Sequence, residues 1–215
     1  TSLFAQDEVQ VAEHPVLGAL RDALHAEGAD ALTVEDERPT PILIEDVPRC
    51  LAIDTSHIYG NAFVRASRSV IESAVRRLDP PETTHLIAIA ALPGGAGVYT
   101  EREIEWTLTT AYTGFRAAVL RSRAVGLPAV VHSGYWGCGA FGGNRELMPA
   151  LQAASAALAG VHQLVLHTGP AGGDAPARAG LRILEEVAAS DGLPLRDLIS
   201  ALAARRVPWG VSNGT

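Results

Sequence analysis

Pro128-Ala-Val-Val-His-Ser-Gly-Tyr-Trp-Gly-Cys-Gly-Ala-Phe-Gly-Gly-Asn-Arg-Glu-Leu-Met148 reads as strand, glycine-rich loop, helix. Val130 and Val131 are β-branched, and five glycines follow within ten residues: Gly134, Gly137, Gly139, Gly142 and Gly143. Leu147, Leu151 and Leu158 then recur at helical spacing. Glycines at a strand-to-helix turn permit φ > 0 and let backbone N–H groups converge on an anion, to which the helix N-terminus adds its partial positive charge. The residue pattern allows two readings, a turn that needs glycine for its geometry alone or a cradle for a diphosphate. It is neither the dinucleotide fingerprint G-x-G-x-x-G nor a P-loop, because no Lys-Ser or Lys-Thr follows.

Outward from this stretch, apolar strands alternate with amphipathic helices. Toward the N-terminus the spacing of Val16, Leu17, Leu20 and Leu24 predicts a helix over about 14–31 that stops near Gly28, and residues 1–12 carry no element. A charged, proline-bearing loop spans Glu35–Thr40. Ile42–Ile44 and Cys50–Ile53 read as two short strands joined by a turn at Glu45-Asp-Val-Pro48. A helix is expected from Arg65 to Leu78, ended by Asp79-Pro-Pro81, and a buried strand at Leu86–Ile89. Thr100 with Glu103 makes a capping box for a helix to about Ala124. Beyond the organising stretch come a strand at Leu164–His167, a Gly-rich connection over 168–174 and helices over Ala177–Ala189 and Leu195–Arg206. Strands that are apolar throughout, alternating with helices, predict an α/β domain whose sheet is covered on both faces. With 215 residues and no internal repeat or linker, one domain over 1–215 is expected, its core at about 42–206.

Composition removes several function classes. All 17 basic residues are Arg, which excludes Schiff-base and P-loop lysine chemistry, and with the abundant Ala suggests a GC-rich, bacterial-like genome. A net charge of -7 and the lack of a basic tract argue against nucleic acid as partner. Cys50 and Cys138 make no disulfide framework, which suits a reducing cytoplasm. No signal-peptide pattern or membrane span is read in the sequence, so a membrane partner is not expected. The seven His and two Cys lack metal-ligand spacing, and neither a metal nor a cofactor is expected. Oligomeric state is left open.

Trp136-Gly-Cys-Gly-Ala-Phe-Gly-Gly-Asn144 closely resembles the Trp-Gly-Cys-Gly-x-Phe-Gly-Gly-Asp signature of the poly(ADP-ribose) glycohydrolases, with Asn144 where that family usually has Asp. Ala111-Tyr-Thr-Gly-Phe115 is similar to the family's Ala-Tyr-x-Gly-Phe helix, and Leu43-Ile-Glu-Asp46 to its Ile-Glu segment. The resemblance covers about 42–168. It implies a macrodomain, a three-layer α/β/α sandwich with a mostly parallel mixed sheet, holding a small-molecule ADP-ribose-containing ligand. It assigns adenine contacts to Ile44 and Glu45. Further ligand contacts fall on Gly60, Asn61, Ser133, Gly134, Trp136, Gly137, Cys138, Gly139, Ala140, Phe141 and His167.

Two departures from the family pattern bear on catalysis. The family's Gly-Gly-Gly and Gln-Glu-Glu catalytic loop is degenerate here, with Tyr59-Gly-Asn-Ala-Phe63 followed by Val70-Ile-Glu-Ser73, so Glu72 falls on the first family Glu and Ser73 on the second, the acid. The long tyrosine-bearing insert that clasps the family's ligand is replaced by the short link between Leu78 and Leu86. Glu72, Asp54 and His57 are the remaining candidates for ribosyl-bond chemistry, which requires a carboxylate near the anomeric carbon and an acid for poor leaving groups. Two of them also have a plain reading, Glu72 as a surface carboxylate and His57 as a loop bystander. The expected activity is that of a divergent glycohydrolase acting on an ADP-ribose conjugate or an NAD-derived small molecule. The alternative is a non-catalytic ADP-ribose-binding module.

Overall fold

The computed structural model describes residues 4–169, 173–189 and 192–212. In chain order the elements are α1 (Gln6–Glu13), α2 (Val16–Ala26), β1 (Val34–Glu35), β2 (Arg38–Pro39) and β3 (Ile42–Ile53). A 3-10 turn (Thr55–His57), α3 (Asn61–Arg65), α4 (Arg68–Ala74) and β4 (Val75–Ala88) follow. The remainder is α5 (Glu101–Ala124), β5 (Val130–Gly134), α6 (Leu147–Ala159), β6 (Gln163–His167), α7 (Ala175–Val187) and α8 (Leu195–Ala204). The described residues form two compact units, one of residues 4–32 together with Leu43–Leu86, the other of Thr33–Ile42 and the described residues of 87–212.

In the first unit, α1 forms where no element was expected. The Glu8 carboxylate accepts the Ala5 N–H at 2.9 Å, and Asp7 and Glu8 suit the positive end of the helix. Glu13, buried, accepts from Arg49 Nε (2.9 Å) and Nη2 (2.8 Å) and from the Ile53 N–H (2.8 Å). Its neighbour His14, also buried, spans Gln10 O (2.8 Å) and Thr84 Oγ1 (3.0 Å). Helix α2 ends at Ala26, with the left-handed Gly28 (φ 68°) two residues beyond, near where its glycine suggested. The turn expected at Glu45–Pro48 is absent. β3 runs through it, with Asp46 in the left-handed region (φ 53°) and its N–H given to His85 Nδ1.

The helix expected to Leu78 ends at Ala74 instead, and Val75–Leu78 open β4. Branched Val75 favours strand, and Asp79-Pro80-Pro81 cannot continue a helix. Asp54 N–H bonds Ala74 O, and Thr84 Oγ1 bonds Val47 O, so β3 and β4 run in opposite directions. Pro80 and Pro81 lack the N–H that a strand paired on both sides requires, so β4 suits the edge of a ladder. The described strands form three two-stranded ladders, β1–β2 antiparallel, β3–β4, and β5–β6 parallel. One continuous, mostly parallel sheet is not among them, although the mixed α/β character stands. The Glu35–Thr40 loop closes as the β1–β2 hairpin, with Asp36 and Glu37 both at positive φ (48° and 60°), the geometry of a two-residue hairpin turn.

The second unit holds the larger core. Helix α5 starts at the expected capping box, with Glu103 N–H to Thr100 Oγ1 (3.3 Å) and Thr100 N–H to Glu103 Oε2 (2.7 Å). It buries Ile104, Leu108, Ala111, Phe115 and Val119 along one face. A Cβ on Gly114 would stand 2.8 Å from Ile87 Cγ2, so only glycine lets the helix lie this close. Helix α6 is buried along nearly all its length, and Ser155 Oγ ties it to Leu108 O of α5 at 3.1 Å. Helices α7 and α8 lie close to where they were expected. Of the connection read over 168–174, residues 170–172 lie outside the described residues. Among the described residues no helix is long and apolar enough to cross a membrane.

Candidate functional site

β5 delivers the chain to the glycine loop, paired in register with β6 so that Gly134 stands opposite His167. Gln152 of α6, fully buried, clamps this strand end: it accepts the Ser133 hydroxyl and donates Nε2–H to Gly134 O at 2.9 Å. The loop then coils on itself. Cys138 N–H bonds Tyr135 O (3.0 Å), Gly142 N–H bonds Gly139 O (3.1 Å) and Gly143 N–H bonds Gly137 O (2.8 Å).

Glycine is required at three of its positions. Gly137 (φ 72°) and Gly142 (φ 66°) are left-handed, and a Cβ on Gly143 would stand 2.8 Å from Gly137 O. Gly139 is not left-handed. With the other turns closed, the N–H groups of Gly139, Ala140 and Phe141 find no acceptor among the described residues, and Ala140 and Phe141 are exposed. Successive unbonded amides in such a coil form an anion-binding concavity. Behind the loop, a gap of about 10 Å³, room for roughly one water, remains between Tyr99, Thr107, Met148 and Trp209.

The loop's exit is fixed by Asn144. Its Oδ1 accepts the N–H of Glu146 (2.8 Å) and Leu147 (3.0 Å), capping α6, while Nδ2 donates to Pro208 O at 2.9 Å. Arg145 lays its guanidinium over the Tyr135 ring, 4.8 Å from the centroid, so a cation rests on the residue that opens the loop. Tyr135 in turn donates its hydroxyl to Gly173 O. Trp136 packs its indole against both clusters of the second unit's core.

Cys138 is buried and its thiol is pushed up to about 12 by that burial, with Arg145 opposing. It stays a thiol near neutrality, and the loop offers no thiolate nucleophile. His132 Nδ1 and His167 Nε2 meet at 2.9 Å, which requires one nitrogen to keep its lone pair and so at least one neutral ring. No group of three or more metal-ligating side chains occurs among the described residues. Also in the second unit, an open cleft of about 420 Å³ lies beside Leu92, Arg102 and Trp106, none of them assigned a role from sequence.

The candidates of the first unit stand apart in kind. Ile44 and Glu45 lie on β3, half-buried and exposed respectively. Asp54 accepts the Ser56 N–H at 3.0 Å, capping the 3-10 turn, and this bond holds its carboxyl below the ordinary range. His57 is exposed at the end of that turn. Gly60 (φ 57°) gives its N–H to Phe4 O at 2.7 Å, and Phe4 stacks on Phe63, so this amide is occupied; Asn61 next to it opens α3. Glu72 sits exposed on α4 in an i,i+4 ion pair with Arg68 at 2.7 Å, and Ser73 donates its hydroxyl to Val70 O.

Sequence reasoning missed Gln152, Asn144 as a cap, and Tyr99 with Trp209. The Asn144-x-Glu146-Leu147 spacing was the one local signal available.

A family model described as Poly (ADP-ribose) glycohydrolase (PARG), Macro domain fold, matches residues 53–170, more than half of the chain. No curated protein matches.

Proposed function

Because the chain belongs to the poly(ADP-ribose) glycohydrolase family, whose fold is the macro domain, we propose that it binds ligands carrying an ADP-ribosyl group and that the loop Tyr135–Asn144 receives their diphosphate. One observation carries this reading: Gly139, Ala140 and Phe141 present three successive amides without an acceptor among the described residues, in a loop that closes on itself at Cys138, Gly142 and Gly143. Such amides favour an anion strongly, and the capped start of α6 adds to the same sign of potential. The ligand class comes from the family and the anion from the loop.

On this reading the reaction is cleavage of a ribosyl bond by a divergent member that lacks the clasp. Its substrate is a small conjugate whose leaving group is a ring nitrogen, because a pyridinium-like nitrogen departs without an acid. Glu72 is the carboxylate assigned to it, and Asp54 and His57 are the secondary candidates. The competing reading, a module that binds ADP-ribose without turnover, is favoured by Glu72 being engaged by Arg68.

Calorimetry with ADP-ribose and with ribose 5-phosphate tests binding, and chromatographic release of free ADP-ribose from a polymer and from a nicotinamide-type conjugate tests turnover. ADP-ribose is expected to bind and ribose 5-phosphate to bind far less. Glu72→Gln is expected to lower any turnover ~10²–10⁴-fold, the usual contribution of an acid–base group, with little loss of affinity. No heat with millimolar ADP-ribose would end the binding reading. Equal rates for wild type and Glu72→Gln would remove Glu72 from the reaction.

A further inference from the structure

The chain beyond α8 lies outside the residues matched to the family, yet it supplies the back of the loop. Val98 and Pro208 form an isolated antiparallel bridge, Tyr99 N–H bonds Val207 O (3.0 Å) and Trp209 N–H bonds Gly97 O (2.9 Å). The Trp209 indole stacks on Tyr99 with centroids 4.2 Å apart and planes 11° from parallel. The Tyr99 hydroxyl accepts the Asn144 N–H at 3.1 Å, and Asn144 Nδ2 returns to Pro208 O at 2.9 Å. The segment and the loop fit backbone to backbone. A Cβ on Gly142 would stand 2.9 Å from Ser212 N, and one on Gly210 would stand 2.9 Å from Gly143 O. On the far side, a Cβ on Gly95 would enter the Trp209 ring.

We propose that Val207–Ser212 is a positioning strap for the diphosphate loop, with Trp209 as its principal positioning residue. The inference rests on the reading that this loop binds a diphosphate. A coil containing four glycines has many conformations, and amides that must be ordered at the moment of binding weaken the complex. Trp209 holds Tyr99, Tyr99 holds the Asn144 N–H, and Asn144 ends the coil, so the Gly139–Phe141 amides are set before the anion arrives. Because coupling is reciprocal, an anion in the loop must also hold the strap more firmly.

The test uses the full chain, ADP-ribose as probe and three variants. Trp209→Ala is expected to lower ADP-ribose affinity at least about fivefold, the low end of ordinary coupling between sites. Trp209→Phe, which keeps a stacked ring, restores most of it. Gly210→Ala pushes on Gly143 O from behind while leaving the Tyr99–Trp209 stack intact, and is expected to weaken affinity as well, so the proposal remains testable if Trp209→Ala fails to fold. Hydrogen exchange on the wild type is expected to show residues 207–212 more protected when ADP-ribose is bound, a readout that a merely structural role would not move. If the wild type binds ADP-ribose while Trp209→Ala and Gly210→Ala bind it equally well, or the strap amides do not respond, the strap proposal is overturned and the loop assignment survives. A wild type that does not bind ADP-ribose takes both down.

Discussion

Asn144 performs two separable tasks, and replacing it by Asp and by Ala divides them. Its Oδ1 caps α6 and its Nδ2 bonds Pro208 O. Ala removes both, at about 1 kcal/mol for a lost N-cap and about 1 kcal/mol for the lost bond to an exposed carbonyl. Asp, nearly isosteric, keeps the cap and gains about 0.3–1 kcal/mol from a charge at the helix N-terminus, but sets an oxygen against Pro208 O. Asn144→Ala should therefore cost about 2 kcal/mol and Asn144→Asp about 0.5–1 kcal/mol. For a folding unit of this size that corresponds to melting temperatures lower by about 4–8 °C and 1–4 °C. All three tryptophans, Trp106, Trp136 and Trp209, lie in the second unit, so tryptophan fluorescence during heating follows the unit that contains Asn144. An Asp variant as damaging as the Ala variant would show that the cap contributes nothing. An Asp variant more stable than wild type would show that the charge at the helix N-terminus outweighs the Pro208 bond.

Two further outcomes are expected. Tyr99 and Cys138 are both pushed up to about 12 by burial, from ordinary values of 10.0 and 9.0, so the folded state keeps both protons longer than the unfolded chain does. The stability they confer is complete below pH 9, falls as pH rises through 9–12, and amounts to on the order of a few kcal/mol; urea unfolding at pH 8 and pH 10.5 measures it, and equal stabilities would contradict the burial argument. Gly143→Ala should force the Gly137–Gly143 turn open, since the added carbon meets a backbone oxygen at 2.8 Å, and ADP-ribose affinity should fall on the order of tenfold or more, as it does when preorganised donors are displaced. Unchanged calorimetric affinity would mean that the coil is not the ligand's seat.

What could be read from the sequence was local. Thr100 and Glu103 satisfy each other's backbone within one turn, and the start of α5 falls at that box. The glycines at 137, 142 and 143 carry their own steric reason, so the coil was visible before its shape was. What escaped depends on partners distant in sequence. Val75–Leu78 have helical spacing, and become strand because Asp54 and Val47 lie alongside β4. Glu13 looks like any solvated acid until Arg49 arrives from β3. Trp209, in the non-helical segment after α8, gains its role only against Tyr99. Gly139 shows the converse error. It was grouped with left-handed glycines by composition, but its φ is ordinary, and the strain falls on Gly137 and Gly142.

Glu13 sets a limit on how this fold can be cut and transplanted. The recognisable family signature spans 53–170, and a natural exchange of genetic segments along that boundary would leave the α1 carboxylate behind. In the transferred segment, the Ile53 N–H would lose its acceptor, because Glu13 and its other partner Arg49 both lie outside 53–170. Leaving a partly buried backbone N–H without its acceptor typically costs about 1–3 kcal/mol, a sizeable share of a domain's whole margin. The segment that must fold together around Ile53 is therefore longer than the matched span, and α1 and the Arg49 stretch of β3 belong with it.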